Sequence, residues 1–247
     1  MIPAARAAPD FPQLAPRYDE LRPADAPWRN ACARLLCEAS VAGQRVLDVG
    51  CGTGKVLQEL AATAARAWGV DASEEMLAIA RRNLPAGVGL KRAPAEALPF
   101  RPGAFDVVTM AFVVHLVDRP RAFAEARRVL VRGGRVAVWT ADPARVARTY
   151  LARIFPSYVA IERARFPSGD ALREELERAG FEDTRATEIA HPVVVAKEVV
   201  LERLRGRHIS TLQLLEPDEY EAGLACAEHV LADPVRYERH GLIVVAR

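Results

Sequence analysis

The stretch VLDVGCGTGKV, residues 46–56, decides the fold. An apolar run carrying Asp48 ends at Val49, and Gly50, Gly52 and Gly54 then alternate with other residues ahead of a segment of helical spacing. In an open α/β sheet the ligand crevice lies outside the carboxyl ends of the strands, near the point where the strand order reverses. A strand ending at Val49 therefore sets the 50–54 loop at that edge. Glycines there let a ligand approach the backbone, and the next helix N-terminus offers free N–H donors.

Outward from this loop the pattern repeats. TGKVLQELAATAA reads as a helix, RAWGVD as a second strand, and SEEMLAIARRNL as a helix capped by Ser73 and stopped before Pro85. GVGLKRA is a weak third strand, FDVVTMAFVV a strongly apolar fourth, RPRAFAEARRVLV a helix ended by Gly133-Gly134, and GRVAVWT a fifth strand. Strands apolar on both faces, separated by helices, mean a parallel sheet covered on both sides, and right-handed crossovers make it doubly wound.

Upstream, Asp25 or the residues just after it stand where a cap would start a helix through APWRNACARLLCEASV, with Pro27 in its first turn. Residues 1–23 hold Pro3, Pro9, Pro12, Pro16 and Pro23, so an extended or loosely ordered arm is expected. After Thr140 the regularity changes. DPARVARTYLARIF looks helical, FPSG is a break, and DALREELERAGF is an amphipathic helix ending at Gly180. DTRATEIAHPVVVA reads as a strand, although Pro192 would interrupt a central one. Residues 197–232 read as helices broken at Gly206 and Pro217, and YERHGLIVVAR closes the chain as a strand. The expectation is an α/β fold with a doubly wound, seven-stranded, mostly parallel sheet. Residues 1–43 form an arm and helix that can serve as a lid, and 44–247 form the main domain, with acceptor-site insertions near 143–170 and 197–232.

Composition limits the function classes. The 247 residues are 51% hydrophobic, enough for one sizeable core, and carry a formal charge of only +2 with Arg and Lys scattered among the acids. That distribution gives no electrostatic footprint for nucleic acid or a membrane surface. Cys32, Cys37, Cys51 and Cys226 lack zinc-ligand spacing, as do His191, His208, His229 and His240, so no metal is expected. Prolines and charges stand where a signal peptide would carry its apolar run, and no window has the length of a membrane span. A soluble cytoplasmic protein with reduced thiols is expected. Oligomeric state has no signature in the sequence.

Three ligand classes compete for the loop. A GxxxxGK[ST] phosphate loop needs Ser or Thr after its lysine, but Lys55 is followed by Val56 and the glycine spacing is too short. A GxGxxG dinucleotide loop needs its third glycine at position 55, which is Lys. The third class is a nucleoside without phosphate. Asp71, ending the second strand, suits ribose hydroxyls in either nucleoside class. Asp48 discriminates, because it repels a pyrophosphate and attracts a cation.

VLDVGCGTG, VDASEEML, APAEALPF and FDVVTMAFVVHLVDRPRAFAEARRVLVRGGRVAVWT together resemble the class I S-adenosylmethionine-dependent methyltransferases, in their small-molecule branch. The resemblance covers roughly residues 44–141, and AGFEDTRATEI is similar to that family's sixth strand with its preceding helix. It implies a Rossmann-like methyltransferase fold, S-adenosylmethionine as cofactor and a small-molecule acceptor. It also implies that Gly50 and Gly52 lie against the methionine part with Asp48 near its ammonium group, that Asp71 holds the ribose, and that Ala72 and Met76 flank the adenine. Where relatives often carry an acid for the adenine amino group this chain has Pro94, leaving the Ala95 backbone or the Glu96 side chain to substitute. Met110 and Ala111 would touch the methionine part through their backbone. Tyr18 and Arg22, in PRYDELRP, match a segment that folds over the cofactor in several relatives.

Methyl transfer is an in-line displacement at a sulfonium carbon with an excellent leaving group, so the protein mainly aligns the acceptor and excludes water. A base is needed only where the acceptor must lose a proton. His115, just after the fourth strand, is the candidate for that role, with packing between cofactor and helix as its other reading. Arg203, Arg205, Arg207 and His208 form either a solvated basic face or an anion site, and Tyr150, Phe155, Tyr158 and Phe166 either line the acceptor pocket or pack the core. An NAD-dependent oxidoreductase, a non-catalytic S-adenosylmethionine-binding protein and an RNA methyltransferase are the alternatives. Lys55 and Asp48 oppose the first, turnover separates the second, and the third lacks a basic stripe or RNA module.

Overall fold

The strand that runs into the glycine loop is the middle of the sheet's parallel half. In this computed structural model, which describes residues 15–247, the strands are β1 (Arg45–Val49), β2 (Arg66–Asp71), β3 (Gly89–Arg92), β4 (Phe105–Ala111), β5 (Leu130–Thr140), β6 (Arg185–Val195) and β7 (Val235–Ala246). They form one sheet in the order β3-β2-β1-β4-β5-β7-β6. β1 pairs in parallel with β2 on one side and β4 on the other, and β7 runs antiparallel to both β5 and β6. The chain thus winds outward from β1 in one direction and then crosses back to β4. Its switch point lies at the carboxyl ends of β1 and β4, where a crevice must open.

The helices are α1 (Tyr18–Leu21), α2 (Ala26–Ala39), α3 (Lys55–Ala61), α4 (Glu74–Asn83), α5 (Arg119–Val129), α6 (Tyr150–Ile154), α7 (Tyr158–Arg165), α8 (Gly169–Arg178), α9 (Lys197–Arg205) and α10 (Pro217–Val230). Strand side chains alternate between two cores, as the pleat requires. Val46, Val107, Ala137 and Ile243 face α2 and α3, packing with Cys32, Leu35, Leu57 and Leu60. Leu47, Val108, Val138 and Val244 face α5 and α8, packing with Phe123, Leu172 and Leu176. Each fully buried Leu or Phe of this kind contributes about 1.5–3 kcal/mol. A third core, holding Phe155, Leu204, Leu212 and Tyr220, binds the inserted helices α6, α7, α9 and α10 to one another.

Local signals fix most boundaries. The Asp25 and Ser73 carboxylate and hydroxyl accept from the N–H groups of Trp28 and Met76, capping α2 and α4 as expected. Three expectations need correction. The helix α5 ends at Val129, and Gly133-Gly134 lies inside β5, where the pairing register with β4 shifts between Phe105 and Val107. Residues 15–21 are helical, a 3-10 turn (Ala15–Arg17) leading into α1, so the extended arm does not reach Tyr18. Pro3, Pro9 and Pro12 lie outside the described residues. DPARVARTYLARIF is two short pieces, a 3-10 turn (Val146–Arg148) and α6, because Thr149 accepts from the Ala152 N–H and restarts the helix. Pro192 interrupts nothing, since β6 is an edge strand.

Candidate active site

The glycine loop divides its labour. Gly50, Gly52 and Gly54 all have positive φ, the left-handed region that favours glycine. A Cβ on Gly50 would stand 2.5 Å from Val113 Cγ2, so this glycine lets β1 and the chain after β4 close up. A Cβ on Gly52 would meet nothing within 4 Å, so this glycine opens a cradle beside the backbone.

Two carboxylates stand behind the cradle. Asp48 is 1% exposed, and its Oδ1 accepts from the Thr109 hydroxyl at 2.7 Å. Burial, with the charge of Asp71 adding to it, pushes Asp48 up to about 7 against the lowering hydrogen bond from Thr109. Asp71 Oδ2 accepts from the Gly52 N–H at 2.8 Å, and Oδ1 from the Ser73 N–H at 2.9 Å. Burial raises Asp71 above the usual carboxylate range despite those bonds.

The segment before α2 straps across this loop. Asp19 Oδ1 accepts from Thr53 Oγ1 at 2.8 Å and lies 3.1 Å from Lys55 Nζ, while Oδ2 accepts from Asn83 at 3.2 Å. Lys55 also donates to the Arg22 carbonyl. Arg22 donates to the Tyr18 hydroxyl at 2.7 Å and lies over the Tyr18 and Phe112 rings. On its far side the strap reaches α9, through Arg17 to Glu202 at 2.9 Å and Leu21 against Gly206. Asp19 and Lys55 were not identified from sequence as partners.

Beneath the strap lies a cavity of about 290 Å³. Of the expected cofactor residues, Tyr18, Asp48, Gly50, Gly52 and Ala111 line it. Asp71 adjoins it through the Gly52 N–H. Met76, Ala95 and Met110 are buried in the surrounding structure. The Ala72 carbonyl accepts from Arg92, and Glu96 accepts from the Asp118 N–H at 2.8 Å. Trp28, Phe112 and Trp139 form an aromatic wall, with ring centroids 5.0 Å apart between Phe112 and Trp139 and 5.8 Å between Trp28 and Trp139. Phe112 has φ +53, a costly conformation for a bulky residue. Such strain clusters at functional sites, and no composition signal reveals it.

The cavity continues into the insertions, where Tyr150, Tyr158 and Glu162 line it. Phe155 and Phe166 do not: the first is fully buried in the third core, and the second stacks on His115 at 4.1 Å. His115 is outside the cavity lining, and its Nδ1 is buried without a hydrogen-bond partner among the described residues. Burial and the nearby Arg165 and Arg22 push its pKa down to about 3, so the ring is neutral. The basic cluster separates in space. Arg205 pairs with Glu198 and Glu228 on the surface, and Arg207 covers the Tyr220 ring at 3.7 Å. Arg203 and His208 line the cavity, with His208 Nδ1 donating to the Arg203 carbonyl at 3.0 Å.

The donor set fits S-adenosylmethionine: a buried carboxylate with Oδ2 unbonded among the described residues, a cradle that a Cβ would fill, and an acid at the end of β2. Among the described residues, no His, Cys, Asp and Glu groups are arranged to hold a metal, and no helix is long and apolar enough to cross a membrane.

Comparison with known proteins gives the same result. A family model described as a methyltransferase domain matches residues 47–138. The chain is 36% identical over 201 residues to a demethylmenaquinone methyltransferase of Thermus thermophilus, covering 69% of this chain and 90% of that protein. It is 32% identical over 206 residues to a ubiquinone/menaquinone biosynthesis C-methyltransferase of Geobacter sulfurreducens, covering 70% and 80%. The fold is similar to that of a Haemonchus contortus phosphoethanolamine N-methyltransferase solved with S-adenosylhomocysteine, with TM-score 0.62 and 20% identity over 99% of this chain and 61% of that one. The chain belongs to the class I S-adenosylmethionine-dependent methyltransferases.

Proposed function

We propose that the acceptor is a quinone-class aromatic in its reduced, dihydroxy form, methylated at a ring carbon. The observation that carries this reading is the 36% identity across 90% of the demethylmenaquinone methyltransferase. A cavity walled by Trp28, Phe112, Trp139, Tyr150 and Tyr158 supports it, because flat rings pack well on aromatic faces. The reduced form is required because the attacking carbon must be electron-rich.

S-adenosylmethionine, when bound, supplies an electrophilic methyl group on a sulfonium. In this proposal Asp48 attracts the cofactor's ammonium group, Gly50 and Gly52 admit its methionine part beside the Met110 and Ala111 backbone, and Asp71 accepts from the ribose hydroxyls. Ala72 and Met76 flank the adenine, with the Ala95 backbone and Glu96 near its amino group. Tyr18 and the strap exclude water, and the insertions at 143–170 and 197–232 hold the acceptor. His115 packs on Phe166 behind the cavity lining and does not serve as the base, since a ring with pKa near 3 is a weak one. The four free thiols fit a reducing, cytoplasmic setting.

The test is anaerobic incubation with S-adenosylmethionine and reduced 1,4-naphthoquinone. Ring-methylated product with S-adenosylhomocysteine is expected. Tight S-adenosylmethionine binding with no methylation of any quinol in a naphthalene and benzene series would overturn the acceptor class while leaving the cofactor reading intact.

A further inference from the structure

We propose that Glu162 is the base of the acceptor site, removing the proton from an aromatic hydroxyl of the substrate. The inference rests on the quinol reading above and assigns the proton transfer that such a substrate requires. Glu162 stands on α7, in the insertion, and lines the same cavity as Asp48 and Gly52. It is 5% exposed, an unusual position for a carboxylate with no direct ion pair among the described residues.

The surroundings hold the group without neutralising it. Thr211, from the 3-10 turn Ser210–Leu214, donates its hydroxyl to Glu162 Oε1. Arg165 donates to Thr211 Oγ1 at 2.8 Å and to Ser210 Oγ at 3.0 Å, so its charge acts on the carboxylate across the intervening threonine without a direct hydrogen bond among the described residues. One oxygen is thereby fixed in place. Oε2 makes no hydrogen bond among the described residues.

Other groups around the cavity are less suited. His208 is pushed down to about 3 by burial, helped by Arg22, and is held by the Arg203 carbonyl. Asp142 takes the Ala144 N–H and lies near Arg145. Tyr150 and Tyr158 are pushed up by burial, so they keep their protons. Burial raises Glu162 above the usual carboxylate range, while Thr211 and Arg165 hold it back, which moves it toward the neutral range where a base works best.

The hydroxyl proton passes to Glu162 Oε2, and the O–H electron pair stays on the acceptor oxygen. Electron density moves into the ring, the ring carbon bonds the methyl carbon, and the carbon–sulfur pair remains on sulfur. The ring proton then leaves to water as Glu162 returns its proton to the oxygen. The net product is a methylated quinol, a thioether and one proton in solution, with no change of oxidation state in the protein.

Three measurements test the assignment. Glu162→Gln is expected to bind S-adenosylmethionine in calorimetry as the wild type does and to keep the acceptor KM, with kcat lower by about 100-fold or more. With ring-fluorinated naphthoquinols already ionised at the assay pH, the gap between wild type and variant should close. A near-normal kcat for Glu162→Gln, or a gap that ignores acceptor acidity, overturns the proposal. If Glu162→Gln does not fold, Thr211→Val serves: loss of the donor should move the acidic limb of the pH–rate profile upward, and an unmoved limb counts against the base. If no quinol is turned over by the wild type, infrared titration of the ligand-free protein decides. A carboxyl band that is absent from Glu162→Gln and titrates in the ordinary carboxylate range removes Glu162 from the role; one titrating above it sustains the base, with the acceptor class alone rejected.

Discussion

Gly52 donates its N–H to Asp71 Oδ2 at 2.8 Å, so the tip of the glycine loop and the end of β2 share one carboxylate. The acid that the sequence assigns to the ribose thus also shapes the cradle. Its other oxygen accepts from the Ser73 N–H, and each oxygen keeps a lone pair for a further donor. Asp71→Ala is expected to weaken S-adenosylmethionine binding by about 1–2 kcal/mol, roughly 5- to 30-fold. Asp71→Asn should lose nearly as much, because an amide offers one oxygen to two N–H donors and turns its own NH2 toward the second. Calorimetric titration of both variants checks this; wild-type affinity in Asp71→Asn would show that the loop does not depend on the carboxylate.

Much of this arrangement is legible in the sequence. β1, β4 and the upper part of β5 are apolar on both faces, and only a sheet covered on both sides explains that. Asp25 and Ser73 announce α2 and α4 because capping is local chemistry. What failed to show was set by distant partners. A Gly133-Gly134 pair reads as a stop, yet β5 absorbs it at a register shift that depends on β4. Asp19 looks like a solvated acid in a proline-rich arm, since Thr53 and Asn83 lie 34 and 64 positions away. Glu162 in YVAIERAR carries no mark of its position in the sequence, because it is buried by a turn whose Thr211 comes 49 positions later. Periodicity reports what a segment buries, and it is silent on which remote element covers its polar side.

The strap should contribute to cofactor retention more than to the fold. Asp19 gathers Thr53, Lys55 and Asn83, but α1 is a single turn and the main cores do not depend on it. The Asp19–Lys55 pair is partly screened by solvent, so its Coulomb energy alone is small. Asp19→Ala is expected to speed S-adenosylmethionine release and weaken binding by roughly 3- to 10-fold, about 1 kcal/mol, with a melting temperature close to wild type. Stopped-flow dissociation rates beside a thermal melt separate the two effects. A large fall in melting temperature with an unchanged release rate would make the strap structural.

Asp48 is expected to link cofactor binding to pH. Its pKa in the folded, ligand-free chain is about 7, against about 3.9 for an unperturbed aspartate. An acid raised in this way opposes folding once ionised. Below the unfolded value both states are protonated and no penalty exists; the penalty grows as pH climbs to about 7 and is full above it. Asp48→Asn keeps an oxygen for the Thr109 hydroxyl and carries no charge. It should therefore stabilise the ligand-free protein near pH 8 by at most about 4 kcal/mol, and the gain should vanish near pH 4. The same substitution should weaken S-adenosylmethionine binding, because the ammonium loses its counter-charge. Wild-type binding below about pH 7 should release a proton and strengthen as pH rises, since the cation favours the ionised carboxylate. Denaturant melts at both pH values, with calorimetry in buffers of different ionisation heat, measure each part. A stability gain equal at both pH values would place its cause elsewhere than the buried charge, and proton release persisting in Asp48→Asn would assign the linkage to another group.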